Sequence, residues 1–355
     1  MPQRTRQIRV GPVPVGGGAP VAIQTMAKAL PHEVDRMVAQ LAEARAAGGH
    51  IARIAVPDRA ALDGLAAVRA GSGLPIVADI HFDHRLAVAA ARAGADGLRI
   101  NPGNLGGPDA LRAVVEAAGE AAIPIRIGVN AGSLPKRAGR RTPPSAAAMV
   151  DTALGWVDQV ERLGFTALKV SLKAFDVPMT VAAYRDFAAR SDVPLHLGVT
   201  EAGPPLAGAV RSSAALAQLL AAGVGDTLRI SLSAPPATEV RVARTLLGAL
   251  GLAPAPAVVS CPTCGRTRVD LCPVAERVER RLEQLGLVRT VAVMGCEVNG
   301  PGEARAADLG IAYGRGARGA LFEAGRVVAR LPNQELEAAL VERLAALAAE
   351  ERDGG

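Results

Sequence analysis

The stretch PIVADIHFDHRLAVAAARAGADGLRINPG, residues 75–103, decides the fold class. It begins and ends with a short apolar run, and each run has the length of a buried strand. Between the runs lies an Ala- and Leu-rich segment of helical period, followed by Gly94, a residue type that commonly ends helices. The stretch therefore predicts a strand–helix–strand unit.

The same pattern recurs along the first part of the chain. The other candidate strands are VAIQTMA (21–27), HIARIAV (50–56), IPIRIGVNA (123–131), ALKVSLK (167–173), PLHLGVTE (194–201) and TLRISLS (227–233). With 75–81 and 97–103 they make eight strand–helix units, the number found in a closed (β/α)8 TIM barrel. An open doubly wound sheet would need a Gly-rich dinucleotide loop after its first strand, and no such motif occurs there. We predict an α/β fold with a TIM barrel, its bottom covered by a β-hairpin in VGPVPVGGGAP (10–20).

A second, smaller unit is predicted after the barrel. Alternating Ala and Pro in LGLAPAPAV (250–258) are typical of a hinge. We therefore expect a substrate-binding barrel domain over residues 1–250, a linker over 251–258 and an α+β domain over 259–355. The last domain contains all four cysteines, which in so long a chain indicate metal or redox chemistry rather than a disulfide scaffold.

Composition restricts the classes of partner. The net charge of +6 favours anionic ligands, but aromatic residues make up only 2% of the chain, and single-strand nucleic-acid binders need them for base stacking. A small phosphorylated molecule accounts for the positive charge equally well. The N-terminal segment has no apolar core of a signal peptide, and no uncharged apolar stretch reaches the roughly 18 residues of a membrane span. We expect a cytoplasmic protein that binds neither a membrane nor nucleic acid.

Four of the predicted strands carry the dipeptide Arg-Ile, at Arg53, Arg99, Arg126 and Arg229. An arginine within an apolar strand is costly unless it is paired. A single case would suggest a structural ion pair. Four in the same setting predict that the side chains converge at the barrel mouth and hold an anionic ligand through bidentate contacts.

Further polar residues stand at the carboxyl ends of the strands, where barrel enzymes carry their chemistry. They are Asp79, His81, Asn101, Asn130, Ser171, Lys173, His196, Glu201 and Ser231. In a cationic mouth Glu201 is either a counter-ion or a proton donor. His196 is as consistent with a hydrogen-bonded core histidine as with a ligand. Asp79 and His81 could form a metal pair, but two ligands without a third are a weak signal.

The cysteines lie in SCPTCGRTRVDLC (260–272) and VMGCEVNGPGEA (293–304). Cys261 and Cys264 form the C-x-x-C half-site of many zinc ribbons, yet a ribbon needs a second such pair and Cys296 stands alone. A zinc site formed by all four cysteines remains an alternative. An iron–sulfur cluster accepts three thiolates with a different fourth ligand, and Glu303 follows Cys296 closely enough to serve.

Seven motifs occur in an order that resembles one family. They are VADIHFDHRLA (77–87), LRINPGN (98–104), IRIGVNAGS (125–133), LHLGVTEAG (195–203), GDTLRISL (225–232), SCPTCGRT (260–267) and VAVMGCEVNGPGEA (291–304). Over nearly the whole chain they are similar to the bacterial 4-hydroxy-3-methylbut-2-en-1-yl diphosphate synthase family of the non-mevalonate isoprenoid pathway. The resemblance implies reductive ring opening and dehydroxylation of 2-C-methyl-D-erythritol 2,4-cyclodiphosphate. Flavodoxin or ferredoxin would supply the two electrons.

The resemblance also implies roles for individual residues. A [4Fe–4S] cluster would be held by Cys261, Cys264, Cys296 and Glu303, leaving Cys272 as a spare, which we expect to be a buried small apolar residue. The substrate contacts would be Arg53, Asp79, His81, Arg99, Asn101, Arg126, Asn130, Lys173, Arg229 and Ser231, with Asn299 reaching in from the cluster side. Glu201 would steady or protonate the departing hydroxyl, and Glu303 would give way to a substrate oxygen. Such proteins act as homodimers in which the cluster domain of one subunit covers the barrel of the other.

Two alternatives remain from the residues alone. One is a zinc-stabilised barrel enzyme, aldolase-like, acting on a sugar phosphate. The other is a basic nucleic-acid-binding protein with a zinc module. Both predict a colourless zinc protein, whereas the iron–sulfur enzyme predicts a brown one.

Overall fold

The computed structural model describes residues 5–30, 32–134, 143–267, 269–296, 302 and 306–353. The chain divides into two compact units, Met1–Ala253 and Pro254–Gly355. The division falls within the Ala- and Pro-rich stretch 250–258.

Strands of the first unit form a hairpin and a barrel. In chain order they are β1 (Ile8–Val10), β2 (Val13–Val15), β3 (Ala22–Met26), β4 (Ile51–Ala55), β5 (Ile76–Asp79), β6 (Gly97–Ile100), β7 (Ile125–Asn130), β8 (Leu168–Lys173), β9 (His196–Leu197) and β10 (Thr227–Leu228). The strands β3 to β10 form one sheet in the order β8-β7-β6-β5-β4-β3-β10-β9, and every pairing in it is parallel. A parallel bridge between Val170 and Leu195 joins the two ends of the sheet. The predicted (β/α)8 barrel is confirmed.

Helices follow each barrel strand. They are α1 (Val34–Ala46), α2 (Ala60–Asp63), α3 (Leu65–Ser72), α4 (His84–Arg92), α5 (Pro108–Glu120), α6 (Ala146–Glu161), α7 (Val177–Arg190), α8 (Pro205–Leu220) and α9 (Pro236–Ala249). Helix α4 shows how the sequence specifies them. Asp83 caps its first turn by accepting a hydrogen bond from the Arg85 backbone N–H at 2.9 Å, and Ala87, Ala90 and Ala91 form its buried face.

Strands β9 and β10 are shorter than the sequence predicts. The expected strands span 194–201 and 227–233, whereas the ladders end at Leu197 and Leu228. Gly198 follows directly, and a Cβ placed there would lie 2.8 Å from Lys173 Nζ and 2.9 Å from the Arg229 carbonyl oxygen. The close approach of neighbouring groups to this glycine coincides with the end of regular pairing.

A hairpin is confirmed at the bottom of the barrel, but its strands lie at 8–10 and 13–15, so it begins earlier than the predicted stretch 10–20. Strands β1 and β2 pair antiparallel, with Ile8 opposite Val15. Ile8, Val10 and Val15 pack in one cluster with side chains from the amino ends of barrel strands, such as Ile51 and Val77. This apolar plug closes the lower end of the barrel interior.

The second unit is an α+β domain. Its strands are β11 (Ala257–Ser260), β12 (Thr290–Met294), β13 (Leu309–Ala312), β14 (Arg318–Glu323) and β15 (Arg326–Pro332), and its long helices are α10 (Leu271–Leu285) and α11 (Leu336–Asp353). The sheet has the order β11-β12-β13-β14-β15, parallel over the first three strands and antiparallel beyond them. Helices α10 and α11 pack on one face through a shared apolar cluster that includes Val278 and Leu340.

None of the helices in the described part of the chain is both long and apolar enough to span a bilayer.

Candidate active site

Cationic side chains from five barrel strands enter the interior of the barrel. The members of this set at its mouth, here called the mouth cations, are Arg53, Arg99, Arg126, Lys173 and Arg229. Four of them are buried, and the side chain of Arg229, one residue beyond β10, is only 13% exposed. Burial, and after it the mutual repulsion of these groups, lowers the pKa of Arg53, Arg126 and Lys173, so these side chains lie within electrostatic reach of one another. The predicted convergence of the Arg-Ile arginines is therefore present in the structure.

Asp79 is the counter-ion of one side of the mouth. Its Oδ1 accepts from Arg99 Nη1 at 3.1 Å, and its Oδ2 lies 3.6 Å from Arg53 Nε. His81 completes the group, with Nε2 at 2.8 Å from Arg99 Nη1 and 3.5 Å from Asp79 Oδ2. Burial opposes ionisation of Asp79, but the Arg53 charge and the His81 hydrogen bond outweigh it and hold the pKa of Asp79 well below its usual range. Asp79 is therefore an anion that orients two arginines.

Glu239 is the counter-ion of the other side, and sequence reasoning missed it. This fully buried residue of α9 places its carboxylate 3.3 Å from Arg229 Nη2 and 3.1 Å from Lys28 Nζ. It also accepts from Thr25 Oγ1 at 3.2 Å and from the Leu232 backbone N–H at 3.0 Å. The only available signal was the predicted excess of buried cations, which requires carboxylates somewhere in the fold.

A glycine makes room for one of the mouth cations. Gly128 lies on β7 beside Arg99, and a Cβ at this position would lie 2.7 Å from Arg99 Nε. Real Cβ atoms do not tolerate such a contact, so any side chain here would displace the guanidinium. The Gly128 position therefore helps to set the direction in which Arg99 points.

Burial and mutual repulsion leave the cations electrostatically unsatisfied. Burial lowers the pKa of Arg53 to about 10, although Asp79 partly offsets it. Burial and the neighbouring Arg126 and Arg53 charges lower the pKa of Lys173 well below its ordinary value. A ligand that brings negative charge into this mouth would relieve both effects, because it supplies counter-charge where water is excluded.

The remaining predicted residues differ in their placement. Asn101 caps a short 3-10 turn by accepting from the Gly103 N–H at 3.3 Å, and Asn130 ends β7 half-buried. Ser171 is buried on β8 and Ser231 is half-buried after β10. Glu201 is exposed in the turn after β9, at φ 52°, in the left-handed region that non-glycine residues rarely adopt.

His196 is a buried histidine of the barrel interior. Its Nδ1 lies 2.8 Å from Thr227 Oγ1, and its carbonyl accepts from the Tyr184 hydroxyl at 2.7 Å. Burial and the charges of Arg126 and Lys173 hold the pKa of His196 well below its usual value, which keeps the ring neutral. The structure thus gives His196 hydrogen bonds typical of a core residue.

The cysteine unit places two thiols at one edge of its sheet. Cys261 directly follows β11 and Cys296 lies two residues beyond β12, and these neighbouring strands run parallel, so their carboxyl ends meet. Cys264 lies in the same loop as Cys261; its N–H donates to Thr267 Oγ1 at 2.9 Å, and Thr263 adopts φ 64°. None of the four cysteines, all within the described residues, belongs to a disulfide. The soft thiol donors and their position on one edge fit an iron–sulfur cluster.

Glu303, the predicted fourth cluster ligand, and Asn299, a predicted substrate contact, lie outside the described residues. Within the described part of the chain, no three His, Cys, Asp or Glu side chains are close enough together to share a metal ion. The ligand set therefore remains a prediction.

The expectation that Cys272 is a buried residue is wrong. Cys272 is exposed on the first turn of α10. The buried face of this amphipathic helix consists of Leu271, Val274, Val278 and Leu282, and their helical spacing turns position 272 toward solvent.

Two family models together match nearly the whole chain. The family model described as the GcpE TIM-barrel domain matches residues 5–244, and the model of the GcpE protein C-terminal domain matches residues 257–346. This chain belongs to the GcpE family. The resemblance drawn from the seven motifs is thereby confirmed, and the protein is an enzyme.

Curated relatives of this GcpE protein match it over nearly their full length. A protein of Geobacter sulfurreducens is 50% identical over 352 residues, which cover 99% of both chains. One of Dehalococcoides mccartyi strain CBDB1 is 48% identical, covering 97% of this chain and 99% of its own. One of Anoxybacillus flavithermus is 47% identical, covering 98% of this chain and 96% of its own. All three are named 4-hydroxy-3-methylbut-2-en-1-yl diphosphate synthase (flavodoxin).

Solved structures similar to the GcpE chain share its barrel. Dihydropteroate synthase from Stenotrophomonas maltophilia has a TM-score of 0.51 at 18% identity, covering 71% of this chain and all of its own. Type I 3-dehydroquinate dehydratase from Clostridium difficile has a TM-score of 0.51 at 15% identity, covering 70% and 98%. At these identities the likeness concerns the fold alone.

Proposed function

We propose that this enzyme reductively opens and dehydroxylates 2-C-methyl-D-erythritol 2,4-cyclodiphosphate to 4-hydroxy-3-methylbut-2-en-1-yl diphosphate. The observation that carries the proposal is the group of mouth cations, held by two carboxylates, in a chain whose relatives are named for this product. The cyclic diphosphate dianion, two electrons and one proton give the allylic diphosphate trianion and water. The family match favours this reaction over the zinc-stabilised, aldolase-like alternative.

The barrel binds the diphosphate. Arg53, Arg99, Arg126, Lys173 and Arg229 would clamp the phosphate oxygens, since a guanidinium offers two parallel donors to an oxyanion. Hydrogen bonds to the substrate would come from His81, Asn101, Asn130, Ser231 and, in the second unit, Asn299. Asp79 serves the same site through Arg53 and Arg99, whose orientation it supports.

The second unit delivers the electrons. Cys261, Cys264, Cys296 and Glu303 would hold a [4Fe–4S] cluster, which supplies low-potential electrons and a Lewis acid when it is bound. The relatives' names include flavodoxin, which supports flavodoxin as the donor, with ferredoxin as the alternative. Glu201, in the turn after β9, would steady or protonate the departing hydroxyl.

We further propose a cytoplasmic homodimer, in which the second unit of one subunit covers the barrel mouth of the other. Apolar side chains around the mouth support a protein partner. Leu30, Phe82 and Phe175 follow barrel strands, Leu206 lies in the first turn of α8, and all four are more than half exposed. An exposed apolar rim of this kind is typical of a surface that another protein covers.

Anaerobic purification followed by iron and sulfide analysis tests the proposal. We expect a brown protein with about four iron and four sulfide per chain, which is the content of one such cluster. This protein should turn over the cyclic diphosphate with reduced flavodoxin. Cys296→Ser should lose both the cluster and turnover, whereas the matched change Cys272→Ser should keep both. A colourless zinc protein, or equal losses in the two variants, would contradict the assignment.

A further inference from the structure

The barrel interior contains a second polar group, which extends below the mouth and shares Arg126 with the mouth cations. Gln24, Arg126, Lys169 and His196 come from β3, β7, β8 and β9, and each is at most 1% exposed. We call these four residues the barrel floor.

Residues of the barrel floor neighbour one another. Arg126 Nη1 donates to Gln24 Oε1 at 3.3 Å, and Arg126 is the direct strand partner of Lys169. His196 lies within the electrostatic reach of both Arg126 and Lys169. The apolar hairpin plug closes the barrel from below, so these groups have no route to bulk water on that side.

Each of the four residues has a buried polar atom without a hydrogen-bond partner among the described residues. The atoms are Gln24 Nε2, Arg126 Nε, Lys169 Nζ and His196 Nε2. An unpaired buried polar atom is unfavourable, and such atoms in proteins are nearly always satisfied, by ordered water where protein groups do not reach. Four such atoms gathered in the barrel interior therefore indicate internal water.

Charges around Lys169 make its protonation sensitive to the mouth. Burial and the positive charges of Arg126 on β7 and Arg53 on β4 lower the pKa of Lys169 to about 7, and among the described residues Asp226, just before β10, opposes them. The Asp226 oxygens are already engaged by Thr5 Oγ1 and the Leu195 N–H, both at 2.7 Å. His196, the remaining titratable neighbour, is held neutral.

We propose that the barrel floor is a hydrated proton-binding site, in which Lys169 takes up a proton when a diphosphate anion binds at the mouth. The anion neutralises Arg53 and Arg126, the two charges whose repulsion adds to burial in disfavouring the protonated form of Lys169. Because coupling between two binding equilibria is reciprocal, protonation of Lys169 in turn tightens anion binding. The proposal rests on the anion site of the proposed function.

Lysine NMR of the oxidised holoenzyme tests this site directly. The chain has only four lysines, at positions 28, 136, 169 and 173, so [13Cε]-lysine labelling gives few signals. The signal that is missing from the spectrum of Lys169→Arg is assigned to Lys169. We expect the Lys169 signal to titrate near neutrality in the free enzyme. Saturating inorganic pyrophosphate, or the cyclic diphosphate, should move its midpoint upward by about one pH unit or more, a tenfold change in proton affinity.

The outcomes separate the two proposals. A Lys169 signal that titrates near the ordinary lysine value in the free enzyme would overturn the proton site. A midpoint that stays fixed while the Lys173 signal responds to the anion would overturn the linkage and leave the anion site intact. If no lysine signal responds to either anion, the anion site of the proposed function fails, and the linkage fails with it.

A binding measurement gives an independent check. Over the pH range above the Lys169 midpoint, the wild-type affinity for pyrophosphate should fall by up to about tenfold per pH unit, the limit for one linked proton. Lys169→Arg, which keeps its charge, should show a flatter dependence, and the exposed control Arg92→Met should match the wild type. Identical slopes in Lys169→Arg and the wild type would overturn the proposal.

Discussion

Glu239 Oε1 lies 3.3 Å from Arg229 Nη2, and Glu239 Oε2 lies 3.4 Å from Arg229 Nε, so a buried carboxylate of helix α9 fixes a guanidinium at the barrel mouth. The same carboxylate accepts from Thr25 on β3 and from the Leu232 N–H. It therefore connects the first and last strands of the barrel to the helix that follows the last one. We assign Glu239 as a positioning residue.

Glu239→Gln should weaken substrate binding more than it slows turnover. The amide keeps the size of the side chain but removes the charge that pairs with Arg229 and Lys28, and breaking a buried pair in this way costs about 3 kcal/mol. We expect KM to rise about tenfold with kcat changed much less, and the barrel to unfold at lower denaturant. Steady-state kinetics and the fluorescence of Trp156, the single tryptophan, measure both. The exposed control Glu116→Gln should behave as the wild type, and an unchanged KM in Glu239→Gln would contradict the assignment.

Gly128→Ala should displace Arg99 from the mouth. The new methyl group would lie 2.7 Å from Arg99 Nε and 2.9 Å from Arg99 Nη2, so the guanidinium must move away from Asp79. We expect affinity for the cyclic diphosphate to fall at least about tenfold, the loss of one good charge-assisted contact. Gly155→Ala, in helix α6, is the matched control, because a Cβ added at Gly155 would have no neighbouring atom of the described residues within 4 Å. That change should stabilise the helix by about 0.5–1 kcal/mol and leave affinity alone.

Glu201→Gln tests the proposed proton donor. The residue is exposed at the mouth with a backbone φ of 52°, a conformation that costs free energy and is common at functional sites. If Glu201 protonates the departing hydroxyl, kcat should fall at least about a hundredfold, with KM and iron content unchanged. Single-turnover kinetics under anaerobic conditions measure the step. A fall of less than about threefold would show that Glu201 is not the proton donor.

Stability should depend on pH through Lys169. The pKa of Lys169 is about 7 in the folded protein, whereas the ordinary lysine value of 10.5 applies to the unfolded chain. Between these two pH values the unfolded chain therefore binds one proton more than the folded protein. The folded barrel is therefore destabilised as pH falls from about 10 to 7, by up to about 1.4 kcal/mol per pH unit, with no further change below. Lys169→Met should lack this contribution. Denaturation followed by Trp156 fluorescence should give a wild-type minus variant difference that grows toward pH 7, and a constant difference would count against the shifted lysine.

Much of the fold could be predicted because its signals are local. Apolar runs, Ala-rich helical segments and helix-ending glycines lie within a few residues of one another, and they identified all eight barrel strands and the hairpin. The Arg-Ile dipeptides predicted the cationic barrel mouth for the same reason, because a charged residue within an apolar strand can be recognised from its immediate neighbours in the sequence. Local pattern could not show where β9 and β10 end, because their pairing stops where groups from other strands crowd Gly198.

What the sequence by itself determined is the barrel, the cationic strand ends, the cysteine motifs and the family, all carried by short contiguous stretches. Only the tertiary structure decided which groups oppose those charges. Thr25 and Glu239 are 214 positions apart yet share a hydrogen bond, and the pKa of Lys169 is lowered by burial and by arginines on other strands. Cys272 lies on the surface because the buried face of α10 is formed by its neighbours at helical spacing, Leu271, Val274, Val278 and Leu282. The physical reason is the same in each case: burial and Coulomb interaction depend on distance in space, which the order of residues along the chain does not specify.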